Sequence, residues 1–129
     1  MRVAGPVIGS ADPLRLAEFY ATLLDWPLTD REHAGVEGAA QDWARIRCPS
    51  GGQKLEFRYE PYFTPPTWPP VEGEQQMLMH LDIAVEDLDA GVAWAIGAGA
   101  TVAEFQPQEG IRVMLDPAGN PFCLFPDHA

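Results

Sequence analysis

The chain has 129 residues, 47% of them apolar, and sets 8 Lys plus Arg against 19 Asp plus Glu for a net charge of -11. That length suits one domain with an ordinary core, and that charge repels a phosphate backbone, so nucleic acid is not an expected partner. No apolar run reaches the roughly 18 to 20 residues of a membrane span, no basic segment leads into a hydrophobic one at the N-terminus, and the two cysteines have no metal-ligand spacing; a soluble cytoplasmic protein with reduced thiols is expected.

The first strand-like run, VAGPVIGSAD, ends at Asp12. Asp12 can cap the first free amides of a helix and Pro13 is shaped for its first position, while Leu16, Phe19, Tyr20, Leu23 and Leu24 recur at helical spacing. Strands are predicted weakly over 28–35 and then in DWARIRC and KLEFRYE, with the turn CPSGG between the latter two. The Pro-rich stretch EPYFTPPTWPPVEGEQQ, residues 60–76, forbids regular helix or central strand and reads as a crossover, with Tyr62, Phe63 and Trp68 expected to lie against the body of the protein. A second strand-like run, MHLDIAVED, leads to a second capping residue, Asp87, and a helix carrying Leu88, Val92, Ala95 and Ile96 that ends at Gly97 or Gly99. TVAEFQ, IRVML and PFCLF then read as strands, the last two joined by DPAGN.

The capping aspartates stand 75 residues apart (87 minus 12), so the order strand, helix, three strands is written twice. This predicts an α+β domain of two βαβββ modules, residues 1–60 and 77–129, joined by the crossover over 61–76, with helices on one side of two sheets. Strand alternation assigns Ile46, Leu55, Phe57, Ile83, Val85, Ile111, Val113, Leu115, Phe122 and Leu124 to the helix-facing side. Trp43, Arg45, Arg47, Glu56, Arg58, His80, Asp82, Arg112, Met114, Cys123 and Phe125 fall on the other. Apolar groups of the size of Trp43, Met114 and Phe125 mixed with Glu56, Arg58, His80 and Asp82 suit a ligand-binding face better than a wet one.

In this order, SADPLRLAEFYATLLDWPL, HLDIAVEDLDAGVAWAIGAGATV and the closing DPAGNPFCLF resemble the vicinal oxygen chelate superfamily, which includes glyoxalase I, bleomycin-resistance proteins and extradiol dioxygenases. PPTWPPVEGEQQMLMHLD looks like a glyoxalase-like subgroup of it. The resemblance implies curved mixed sheets around a central cleft, helices outside, and a homodimer. It also implies four metal positions, which carried over by place are Gly5, Glu56, His80 and Cys123. Gly5 has no side chain, and a thiol stands at Cys123 where a glutamate is common, which leaves Glu56 and His80 as an incomplete metal set. Asp25 occupies a helix-end place where the family usually has Gly, and is expected to take the same cap geometry.

The expected function is therefore small-molecule binding in the cleft without a complete metal site, by analogy with bleomycin-resistance proteins. Trp43, Arg58, Trp68, Asp82, Met114, Cys123 and Phe125 are the expected ligand contacts, and the cofactor is none or a weakly held Zn, Ni, Fe or Mn ion. The competing expectation is a metal-dependent isomerase, lyase or dioxygenase in which Glu56 and His80 move protons on a small carbonyl or hydroxyl compound, since an imidazole titrates near neutrality. A structural or regulatory module with a vestigial cleft is the third.

Overall fold

Asp12 starts helix α1 (Pro13–Leu24) by accepting from the Arg15 amide at 3.2 Å, and Asp25 ends it in the left-handed conformation at φ 54°. Asp87 does the same for helix α2 (Leu88–Ala98), accepting from Ala90 N at 2.8 Å, and Gly99 closes that helix at φ 122°. Both expected caps are present, and the repeat they marked is structural. A computed structural model describes residues 1–33 and 42–127, and the chain divides into two units, residues 1–63 and 64–129.

The first unit holds β1 (Val7–Ser10), α1, β2 (Leu28–Glu32), β3 (Trp43–Arg47) and β4 (Lys54–Tyr59), in sheet order β1-β4-β3-β2. The second holds β5 (Asp82–Val85), α2, β6 (Thr101–Val102), β7 (Arg112–Leu115) and β8 (Pro121–Pro126), in the corresponding order β5-β8-β7-β6. In each sheet the first and last strands pair parallel and the others antiparallel. The predicted α+β class and the doubled βαβββ order are both found. Of the weak strand over 28–35, residues 28–32 form β2, whereas 34 and 35 lie outside the described residues.

In the first unit Leu16, Phe19 and Tyr20 of α1 pack on Ala44, Ile46, Leu55 and Phe57, all buried, with Tyr20 stacked on Phe57 at 5.7 Å. The DPAGN turn between β7 and β8 has its own lock: Asp116 Oδ1 accepts from the amides of Ala118 and Asn120, both at 2.9 Å, while Asn120 Nδ2 donates to Oδ2. Residues 60–76 contain no strand or helix, as their prolines dictate. Trp68 does lie against its own unit, but Tyr62 does not; it is 94% exposed, which corrects the expectation that all the linker aromatics are covered.

Helix α2 is held close to β5 by a missing side chain. A Cβ on Gly91 would come within 2.9 Å of Val85 Cγ1 and 3.2 Å of its Cβ, whereas one on Gly97 would meet nothing within 4 Å. Alanine is the better helix former by about 1 kcal/mol, so Gly97→Ala should stabilise the protein by up to that amount, while at Gly91 the clash should win and Gly91→Ala should cost about 1–3 kcal/mol. Urea denaturation of the two variants checks both signs.

Candidate functional site

The antiparallel register of β3 and β4 sets Trp43 opposite Arg58 and Arg45 opposite Glu56 on the face away from α1. Three of the expected residues, Trp43, Glu56 and Arg58, are thus on one face, and that face is organised around charge. Glu56 Oε1 takes Arg45 Nη2 at 2.9 Å and Lys54 Nζ at 2.8 Å, and Arg45 Nη1 reaches on to Asp30 at 3.1 Å. The Arg45 guanidinium also lies 5.2 Å from the Trp43 ring, whose indole N–H donates to Glu32 at 2.7 Å. The hydrogen bond from Lys54, reinforced by Arg45, pulls the Glu56 pKa below its ordinary value although partial burial opposes this. Arg58 is exposed.

The second unit holds a cavity of about 570 Å³. Its apolar walls come from Trp68, Met77, Ile111, Val113 and Phe125, and its polar groups include His80, Asp82 and Cys123. Of the expected contacts, Trp68, His80, Asp82, Cys123 and Phe125 are therefore together. The parallel pairing of β5 and β8 does this by placing Asp82 beside Cys123, and His80, two residues earlier in extended chain, projects to the same side. His80 Nε2 and Asp82 Oδ1 are 3.0 Å apart. The Cys123 thiol is pushed up in pKa by its burial and, secondarily, by the charge of Asp82. Trp68 is anchored as a wall by its indole N–H, which donates to the Phe105 carbonyl at 3.0 Å.

Met114 is not among the lining residues. Val113 pairs with Cys123 and Met114 with Phe122, so Met114 and Arg112 share the face of Phe122 and Leu124, and Met114 is fully buried there. The face assignment for β7 is inverted relative to expectation, and Ile111 and Val113 take the cavity places given to Arg112 and Met114. The cause is that β7 is buried on both faces, which erases the polar-apolar alternation that parity reasoning needs. The turn carried the missing signal: a five-residue connection from Asp116 to Asn120 sets Leu115 opposite Pro121, and counting back puts Val113 against Cys123. Gln106 was also missed. Its side-chain amide donates to the carbonyls of Ala103 and Val113 and its Oε1 accepts from Val113 N, all at 2.8 Å, which fixes the loop that supplies Pro107, Gln108 and Gly110 to the cavity.

Of the four metal positions implied by resemblance, only Glu56 supplies a carboxylate. Gly5 brings no donor, and Glu56 has its charge engaged by two cations. A different group forms within the second unit, where one donor atom each from His80, Asp82 and Cys123 lie within 4.8 Å of one another.

Residues 6–125 match the family model described as a glyoxalase-like domain. No curated protein matches the chain. Among solved structures, a glyoxalase family protein from Enterococcus faecalis aligns at TM-score 0.67 and 19% identity, covering 96% of each chain. TnmS3, an antibiotic-binding protein from Streptomyces sp. CB03234, aligns at 0.61 and 16%, covering 98% of this chain and 96% of the other. The fosfomycin resistance protein FosX of Listeria monocytogenes, in complex with Mn(II) and a dihydroxypropylphosphonic acid, aligns at 0.67 and 11%, covering 96% and 88%. At these identities the likeness is one of fold.

Because its folded-state pKa is depressed, Glu56 contributes stability that is fully present above its unfolded pKa and is lost as pH falls through the folded one. Glu56→Gln should therefore destabilise the protein by about 1–3 kcal/mol at pH 7, and the gap to the parent should shrink below about pH 4.5. Denaturant titrations of both proteins between neutral and acid pH measure that gap.

Proposed function

This chain belongs to the glyoxalase-like domain family of the vicinal oxygen chelate superfamily, and on that footing we propose that it binds a small organic molecule in the cavity of its second unit. The observation that carries this reading is the cavity itself: about 570 Å³ of space with a Trp68 and Phe125 aromatic lining and the His80–Asp82 pair as its orienting polar group. That size and that ratio of apolar wall to polar handle are those of small-molecule sites. The local charge favours a neutral or cationic aromatic compound. Residues 64–129 hold ten carboxylates against one cation, Arg112, so this half carries -9 of the chain's -11. The description of TnmS3 as an antibiotic-binding protein is in keeping with sequestration of such a compound.

A second reading is favoured by one observation. An imidazole oriented by a carboxylate at 3.0 Å is suited to moving a proton, so His80 would act as acid or base on a small carbonyl or hydroxyl compound in an isomerase, lyase or dioxygenase. Glu56 is less suited to sharing that work, because Lys54 and Arg45 hold it as a carboxylate. Outside the cavity, Ile96 of α2 is exposed, and cover for it in a second copy of the chain is the ground on which a homodimer is proposed. Both cysteines are free, in keeping with a cytoplasmic place, and no helix among the described residues is long and apolar enough to cross a membrane.

Binding is tested with a panel of planar amines and neutral aromatics, read by fluorescence with Trp68→Phe as the control that assigns the signal. His80→Ala should weaken the best ligand roughly tenfold, the worth of one hydrogen bond to a charged group, and should shift stability by less than about 0.5 kcal/mol because the side chain is partly exposed. Unfolding of His80→Ala with unchanged affinity in the folded fraction would make this a structural histidine instead.

A further inference from the structure

We infer that the second unit carries a thiolate zinc site of its own, formed by His80 Nε2, Asp82 Oδ1 and Cys123 Sγ and facing the cavity. It shares His80 and Cys123 with the four positions that the family resemblance implies, and differs from them in that Asp82 takes the place of Gly5 and Glu56. It does not depend on the cavity holding an organic ligand.

Three observations meet here. The donors are one nitrogen, one oxygen and one sulfur, a mixture zinc accepts in tetrahedral sites, with bonds of roughly 2.0–2.3 Å that place neighbouring donors roughly 3.3–3.6 Å apart. The side-chain atoms already lie within 4.8 Å of one another, with His80 and Asp82 at 3.0 Å. Closing the remainder takes rotation of two partly exposed side chains, since His80 and Asp82 keep 37% and 62% of their side-chain surface. The backbone beneath them is fixed: Asp82 pairs with Cys123 in the ladder, and Cys123 N donates to Leu81 O at 2.9 Å between the two other donors. Finally, the surrounding unit has a large excess of carboxylates, which raises the local concentration of a divalent cation.

On binding, hydrated Zn²⁺ would shed all but one of its waters as the three side chains take their places, the Cys123 thiol would release its proton to solvent as the Zn–S bond forms, and the fourth position would keep a water turned to the cavity. The sulfur selects zinc over manganese or magnesium, which prefer all-oxygen shells.

The experiment uses the full chain stripped with chelator and reloaded with zinc or, as a spectroscopic probe, cobalt. One zinc per chain should bind in competition with a chromophoric chelator, and the cobalt form should show a thiolate-to-metal charge-transfer band that Cys123→Ser abolishes and Cys48→Ser leaves intact. Asp82→Asn should weaken zinc tenfold or more, whereas Glu56→Gln should leave it within about twofold. Zinc should also slow alkylation of Cys123 but not of Cys48 in the unmutated protein, a measurement that needs no variant to fold. Absence of zinc binding, a cobalt spectrum without the sulfur band, unimpaired binding in Asp82→Asn, or loss of binding in folded Glu56→Gln would each overturn the inference, the last by returning the metal to the family's own positions.

Discussion

The second unit depends on a single alignment, that of β5 alongside β8. Parallel strands do not meet through a tight turn, so the alignment is produced by the whole intervening chain: α2 crosses back over the sheet, β6 and β7 follow, and the β7–β8 hairpin delivers the last strand. The ladder that results runs from Asp82 against Cys123 to Val85 against Pro126 and is continued at both ends, by Cys123 N to Leu81 O and by Asp127 N to Val85 O. A slip of β8 by one residue against β5 would turn Cys123 under α2 and bring Leu124 out, parting the thiol from Asp82. Burial of Leu124 and Phe122 beneath the helix is what makes that slip costly. Packing on one face of the sheet thus fixes the chemistry presented on the other.

The first unit solves the same geometry with different side chains. Its parallel pair has Val7 opposite Glu56, the counterpart of Asp82 opposite Cys123, so Gly5 and His80 are equivalent places, as are Glu56 and Cys123. At these places the two halves differ in sequence and in the contacts their side chains make. Around Glu56 the neighbours Arg45 and Lys54 complete a charge network that extends to Asp30. Around Cys123 the neighbour equivalent to Arg45 is Val113, and the nearby polar side chains are His80 and Asp82. Seven of the chain's eight cations lie in residues 1–63, which is why one carboxylate-bearing face is neutralised and the other is not.

How much of this was legible in the sequence follows from how each feature is encoded. Caps are local: Asp12-Pro13 and Asp87 announced both helices because one side chain acts on an amide three residues away. The duplicated order was legible for the same reason. The faces of β3, β4, β5 and β8 were legible because one side of each is wet or polar enough to preserve a period of two. On β7 that contrast fails, with Val113 and Met114 both buried, and hydrophobicity alone could not say which of them faced the cavity. The ion pairs around Glu56 were one of several options in the sequence, since choosing Arg45 and Lys54 over Arg58 requires the cross-strand register and the side-chain reach, neither of which a linear spacing contains.

Gln106 and Asp116 show what stabilises a site whose loops have no regular structure. Each is a polar side chain that takes over backbone hydrogen bonds, Gln106 bonding both the N–H and the C=O of Val113 as an adjacent strand would, and Asp116 closing the turn that sets the β7–β8 register. Buried or half-buried amides left without such partners would each cost about 1–3 kcal/mol. The wall formed by Pro107, Gln108 and Gly110 is therefore held from behind by Gln106, while the position of Cys123 is set from the hairpin by Asp116. Neither residue lines the cavity, yet the first governs its shape and the second its chemistry. On the proposed reading of the cavity as a ligand site, variation of ligand preference without loss of fold is accordingly open to the lining residues Met77, Ile111 and Phe125, whose side chains carry no backbone bond, and closed to these two.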